Sequence, residues 1–139
     1  MLQRATNHRR RGAIILESAI IYPVTFMLIL GLVIGAMGVF RYQEVASLAR
    51  EATRYAAVHG AMYQQVTGKP AATATDIYNN VISPRAVALD PSKLTYSVKW
   101  SPDNKQGSTV SVTINYQWVP EAYLPVANLS STAQETIAY

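Results

Sequence analysis

The side chains that carry chemistry are few in this chain. It has two histidines, His8 and His59, eight acidic residues and no cysteine. The histidines are far apart, one in a basic N-terminal stretch and one at the end of an amphipathic segment, and no acidic pattern flanks either. Without cysteine there is neither a thiolate metal site nor a disulfide framework. No serine sits in a G-x-S-x-G turn, and no glycine-rich phosphate loop occurs. Asp76, Asp90 and Asp103 fall at helix starts or turns, where aspartate usually serves the backbone. The residue types therefore point away from an enzyme, a metal, a cofactor or a small-molecule substrate. Glu17 is the exception. It stands in RRRGAIILES, residues 9–18, at the start of a run that holds no charge from Ser18 to Phe40. A carboxylate drawn toward the centre of a hydrocarbon layer costs up to about 3 kcal/mol. Glu17 thus either lies solvated at headgroup level or meets a cationic partner.

The element that positions Glu17 reads as a membrane helix. About 20 apolar residues span a bilayer core, and Ser18 to Phe40 suffices with some tilt. A signal peptide would have an apolar region of about 7 to 15 residues and a small-residue cleavage site. This run is longer, and Ala36-Met37-Gly38 is a weak match to such a site, so the helix reads as retained. Pro23 removes a backbone donor and should kink it. Gly31 and Gly35 have the small-xxx-small spacing that lets two membrane helices touch, and Gly38 extends that small surface.

The formal charge of +4 suggests a basic partner surface until its distribution is read. Arg4, Arg9, Arg10 and Arg11 precede residue 13 with no acid among them, and the remaining eight basic and eight acidic residues cancel. Nucleic-acid binding needs basic groups spread over a folded face, so no nucleic acid is expected. Arg9, Arg10 and Arg11 instead set topology. By the positive-inside bias the N terminus stays cytoplasmic and the C terminus is exported. The chain divides into a basic cytoplasmic leader (1–12), a long N-terminal helix (13–62, transmembrane about 18–40) and an extracytoplasmic domain (63–139).

The helix should run past the membrane. Val45, Leu48, Ala49, Ala52, Ala56 and His59 follow the rhythm of one helix face, Glu51 and Arg54 can pair at i, i+3, and Gly60 is a plausible stop. From Ala13 to His59 it would measure about 70 Å at 1.5 Å per residue. Residues 63 to 73 read as a loop with Gly68 and Pro70 as breakers. Thr75 is a candidate cap for a helix from Asp76, and Pro84 a candidate start for a second short helix reaching Leu89. The clearest signal is alternation. Leu94, Tyr96, Val98 and Trp100 form one apolar row, and Val110, Val112, Ile114, Tyr116 and Trp118 another, which means two half-buried strands joined as an antiparallel hairpin. The hairpin's Tyr and Trp read as core before ligand contacts. Leu129, Ala133 and Ile137 would face the core from a weaker third strand. The fold expected is α+β: a long helix packed on a small antiparallel sheet of about three strands, with one or two short helices.

A short basic leader, Gly12, four apolar residues and then Glu17 resembles the prepilin-peptidase site of type IV pilins and pseudopilins. ILESAIIYPV and REATRYAAVHG are similar to stretches of the TadE-like proteins of the tight-adherence (Tad) pilus system, and VSVTINYQW and LSSTA look like that family's closing strands. The resemblance implies a pilin-like fold and cleavage between Gly12 and Ala13 by a prepilin peptidase. It implies a structural or assembly role among other pilin-like subunits and pilus assembly proteins. It also implies a single-pass place in the bacterial inner membrane, with entry into a pilus. Carried over, Glu17 would pair with the new amine of Ala13, in its own or a neighbouring subunit. An alternative reading is an uncleaved single-pass envelope anchor whose outer domain binds a partner protein.

Overall fold

The computed structural model describes residues 6–120 and 125–138, with side chains from residue 14 onward. The chain forms two compact units, residues 1–37 and 38–139. In the described part of the first, the backbone belongs to a single helix, α1 (Thr6–Val58), which continues into the second unit. α1 is already helical at Thr6, the first described residue, where sequence suggested a helix from Ala13. Between them Gly12 is the only residue that disfavours a helix, and at about 1 kcal/mol it does not stop one. From Ile14 to Val33 the large apolar side chains, Ile15, Leu16, Phe26 and Leu32 among them, are exposed. The span is long and apolar enough to cross a membrane.

The second unit has its core between the last turns of α1 and a three-stranded antiparallel sheet of order β1-β2-β3. Val45, Leu48, Ala49, Ala52, Thr53, Ala56 and Ala57 are buried along one face of α1. His59 is only half-buried and lies outside that core stripe. Its ring stacks on Tyr55 at 4.0 Å between centroids, and its Nδ1 lies 2.9 Å from the Tyr55 carbonyl oxygen. Alanine keeps the α1 face low, so the sheet approaches closely. Thr53 shows how close: its hydroxyl donates to the carbonyls of Ala49 at 2.8 Å and of Ala133, on the sheet, at 3.3 Å.

The strands are β1 (Leu94–Ser101), β2 (Thr109–Trp118) and β3 (Ala127–Thr136). All five apolar β2 residues named from alternation are buried. Val112 faces Val98 on one side and Ala133 on the other. Of the third row, Ile137 is buried, while Leu129 and Ala133 are half-buried because β3 is an edge strand. The opposite face carries hydroxyls and amides. Thr113 and Thr132 share a hydrogen bond of 2.8 Å, and Ser130 donates to Asn115 at 2.6 Å.

The end of α1 is held by partners distant in sequence. A helix leaves its last carbonyls without intrahelical donors. Here the Ala138 amide donates to the Ala57 carbonyl at 3.0 Å and the Ala72 amide to that of His59 at 2.8 Å. Gly60 breaks the helix as expected, but a second helix, α2 (Ala61–Thr67), follows at once, where sequence suggested a loop from residue 63. Gly68 ends it in the left-handed conformation, φ 70°, its amide returning to the Gln64 carbonyl. A left-handed residue after the last turn, with glycine free of the Cβ penalty, is a common helix ending. α2 buries no side chain. Its apolar spacing was accordingly too weak to read.

The next helix, α3 (Ala74–Ile77), is capped by Thr73, not Thr75. The Thr73 hydroxyl lies 3.2 Å from the Asp76 amide, and the Asp76 carboxylate accepts from the Thr73 amide at 3.0 Å. This reciprocal pair fixes the entry angle. A π-helical turn, Tyr78–Ile82, and α4 (Ser83–Arg85) carry the chain on. The last stops at Arg85, short of Leu89. Ile77, Val81, Ile82 and Leu89 complete the core. Glu51 pairs with Arg85 across the fold, not with Arg54 along α1.

Three aspartates lock the surface turns, and each is held below the usual carboxylate range by hydrogen bonds. The donors are Thr73 for Asp76, Ser92 for Asp90, and Ser108, then Lys105, for Asp103. A lowered folded-state pKa adds stability that is complete above the ordinary value of 3.8 and is lost as pH falls through the lowered one. The urea midpoint of the full chain in detergent should therefore fall as pH drops from about 5 to below 3.8. The triple variant Asp76→Asn, Asp90→Asn, Asp103→Asn should flatten this dependence. An unchanged acid slope in the variant would refute the assignment.

Candidate functional site

Every site residue named from the sequence lies on α1. Arg9, Arg10, Arg11, Gly12 and Ala13 belong to its first turns. The Gly12–Ala13 peptide bond is thus in helical backbone. Glu17 is exposed. Among the described residues it makes no ion pair within 4.0 Å. It lies four residues after Ala13, so the two share a helix face one turn apart, and the carboxylate leans toward the N terminus.

Pro23 lies inside α1, which continues through it. With Tyr22, Thr25, Phe26 and Ile29 it lines a shallow apolar notch. Gly31 and Gly35 are one turn apart. A Cβ built on either would meet no atom within 4 Å. The small surface they make is therefore uncovered.

Gly38 is different, and here the structure corrects the sequence. It does not extend the open surface of Gly31 and Gly35, because the indole of Trp118 lies on it. A Cβ on Gly38 would stand 2.7 Å from Cζ3 and 2.9 Å from Cη2 of that ring. The contact joins the last residue of β2 to the point on α1 where the uncharged run is ending. Sequence reasoning missed this partnership. Its only local signals were a glycine near the end of the run and a tryptophan closing the second strand, and neither names the other.

A second device missed in sequence is Glu44. Its Oε1 accepts from the Ala88 amide at 3.2 Å. With the Glu51–Arg85 pair it ties the segment after α3 to α1.

The described residues hold no cluster of three or more His, Asp or Glu side chains that could bind a metal ion. A polar groove of about 360 Å³ lies between α1 and β3, with Arg50, Arg54, Glu51 and Glu135 in its lining. Its two cations face two anions, so no single charge accumulates. What the arrangement offers is surface: one long apolar helix face, an open pair of glycines and a sheet held by close contact.

Comparison with known proteins gives one positive result. No curated protein matches the chain. No solved structure matches it either. Residues 12–54, less than half of the chain, match the family model described as TadE-like protein. That stretch runs from Gly12 through Glu17, Pro23, Gly31, Gly35 and Gly38 to Arg54, and over it this chain is similar to the TadE-like proteins.

Proposed function

We propose that the chain is a minor pilin-like subunit or assembly factor of a Tad-type pilus or related secretion apparatus, anchored by α1 in the inner membrane and processed after Gly12 by a prepilin peptidase. The observation that carries this reading is the extent of the family match, which begins at Gly12 and takes in Glu17. A helix whose apolar side chains are exposed from Ile14 to Val33 supports it, since lipid or neighbouring helices must cover them. The arginines before Gly12 favour a cytoplasmic N terminus, and cleavage would remove all four of them up to that point. The Ala13 amine so created would stand one helical turn from Glu17. Close cation–carboxylate pairing lowers the cost of holding an acid at the membrane edge.

The uncleaved anchor is the second reading, and one observation favours it. The Gly12–Ala13 bond lies within α1, whereas a peptidase grips extended backbone, so cleavage requires the first turns to unwind.

Two substitutions separate the readings. Gly12→Val should block cleavage and leave the leader attached, read as the intact N-terminal mass. Glu17→Ala should be cleaved normally, because the amine it would meet exists only afterwards, yet should abolish incorporation into the assembly. An intact leader on the native protein would establish the anchor. Normal assembly with Glu17→Ala, in cells that require this protein, would return Glu17 to a solvated anion.

A further inference from the structure

Beside the start of α3 and the β1–β2 loop lies an open pocket of about 450 Å³, lined by Ala71, Ala72, Thr73, Ala74, Trp100 and Asn104. No charged side chain lines it. Its walls are fixed by bonds already formed. The Ala72 amide donates to the His59 carbonyl at 2.8 Å, and the Ala61 amide to that of Asn104 at 2.9 Å. The capping box of Thr73 and Asp76 holds the rim. Asp103, next to Asn104, accepts from the Ser108 hydroxyl at 2.7 Å and from the Lys105 amide at 3.2 Å. A mostly apolar, preformed cavity of this size with few polar groups is the usual form of a small-molecule site.

Two of those polar groups lack partners. The indole Nε1 of Trp100 and the side-chain Oδ1 of Asn104 are buried, and neither has a hydrogen-bond partner among the described residues. The first only donates and the second only accepts. A buried polar atom left unbonded is costly, and native proteins hold few of them. Here two of opposite kind belong to residues that line one pocket.

A ligand that satisfies both must accept and donate at neighbouring atoms. It must also be uncharged and set a small apolar group on the alanine methyls. A secondary amide bearing a methyl group meets all three conditions. Trp100, itself half-buried, adds an apolar plane for a ring. The lining comes from two short segments, which suits a compact group.

We infer that this pocket binds the acetamido group of an N-acetylated amino sugar. The acetamido carbonyl accepts from the Trp100 indole, its N–H donates to Asn104 Oδ1, and its methyl lies among Ala71, Ala72 and Ala74. Binding turns the Trp100 and Asn104 side chains toward the pocket while the walls stay in place. The inference goes beyond an assembly role and holds for the cleaved and the uncleaved chain alike.

The full chain, in a detergent without a sugar headgroup, would be titrated with N-acetylglucosamine, with glucose and with N-acetylalanine methylamide. The readout is the indole N–H resonance of each of the two tryptophans, that of Trp100 being assigned through Trp100→Phe. The Trp100 resonance should move and saturate with N-acetylglucosamine and stay still with glucose, and Trp118 should not respond. Asn104→Leu should weaken binding about tenfold through the lost bond. Ala74→Leu, at a half-buried position, should fill the pocket and abolish binding, with an unchanged urea midpoint as the check on folding. No movement of the Trp100 resonance up to the solubility limit of the sugar overturns the inference. An equal response to glucose overturns the acetamido assignment. Saturation by the methylamide alone would give the pocket to a peptide group and overturn the sugar. Undiminished binding in both variants would place the sugar elsewhere and overturn the site.

Discussion

Val112→Asp should unfold the outer domain. Val112 has no solvent exposure and stands in the middle strand between Val98 and Ala133. An aspartate there has no cation to meet and must be buried unpaired or held protonated. With the lost apolar contact, the cost should be about 4 kcal/mol or more, against a total stability of roughly 5 to 15 kcal/mol for a domain. Thr113→Asp, one residue along, is the control. Its side chain lies on the hydroxyl face and would forfeit one hydrogen bond, to Thr132, worth about 1 kcal/mol. Urea unfolding of the detergent-solubilised full chain, followed by limited proteolysis, reads both. Equal loss in the two variants would mean that β2 does not bury one face and expose the other.

The second large effect concerns Gly38. Gly38→Leu should dislodge the Trp118 indole, since even a Cβ falls 2.7 Å from the ring. Overpacking a tight contact costs about 1 to 3 kcal/mol, and here the rigid ring belongs to the last residue of a strand. Trp118 emission should shift to the red in a Trp100→Phe background, and the sheet end should become protease-sensitive. The same substitution at Gly31 meets nothing within 4 Å. Gly31→Leu should leave the fold intact and alter only association between helices. A double-mutant cycle adds the decisive comparison. In a Trp118→Ala background, Gly38→Leu should cost far less, because neighbours in contact are coupled. Additive losses would show that Gly38 acts through helix propensity and not through the ring.

These two sites also mark what was legible in advance. Val112 could be placed in the core from sequence because a strand's side chains alternate strictly. A row of five apolar residues against five polar ones leaves only one face to bury. The antiparallel hairpin and the α+β class follow from the same pattern, whereas the register and the central place of β2 come from the fold. The apolar run of α1 was legible for a related reason: lipid demands an uninterrupted stretch of helix. The alanine-rich face beyond it was legible through the helical repeat.

Partnerships across the chain were decided only by the tertiary structure. Glu51 has Arg54 one turn away, yet it pairs with Arg85, because the π-helical turn and α4 bring a second guanidinium to the same place. Thr75 and Thr73 are both acceptable caps by type. Asp76 selects Thr73, since the reciprocal bonds of a capping box need partners three positions apart and Thr75 is adjacent. α2 buries nothing, so no periodicity announced it. Gly38 shared its small size with Gly31 and Gly35, and sequence treated the three alike. Folding separated them, because Trp118, eighty residues on, covers one and leaves the others open. Local pattern determines which face of an element must be buried. Which residue arrives to bury it is settled by the chain's long-range closure, and no local spacing records that.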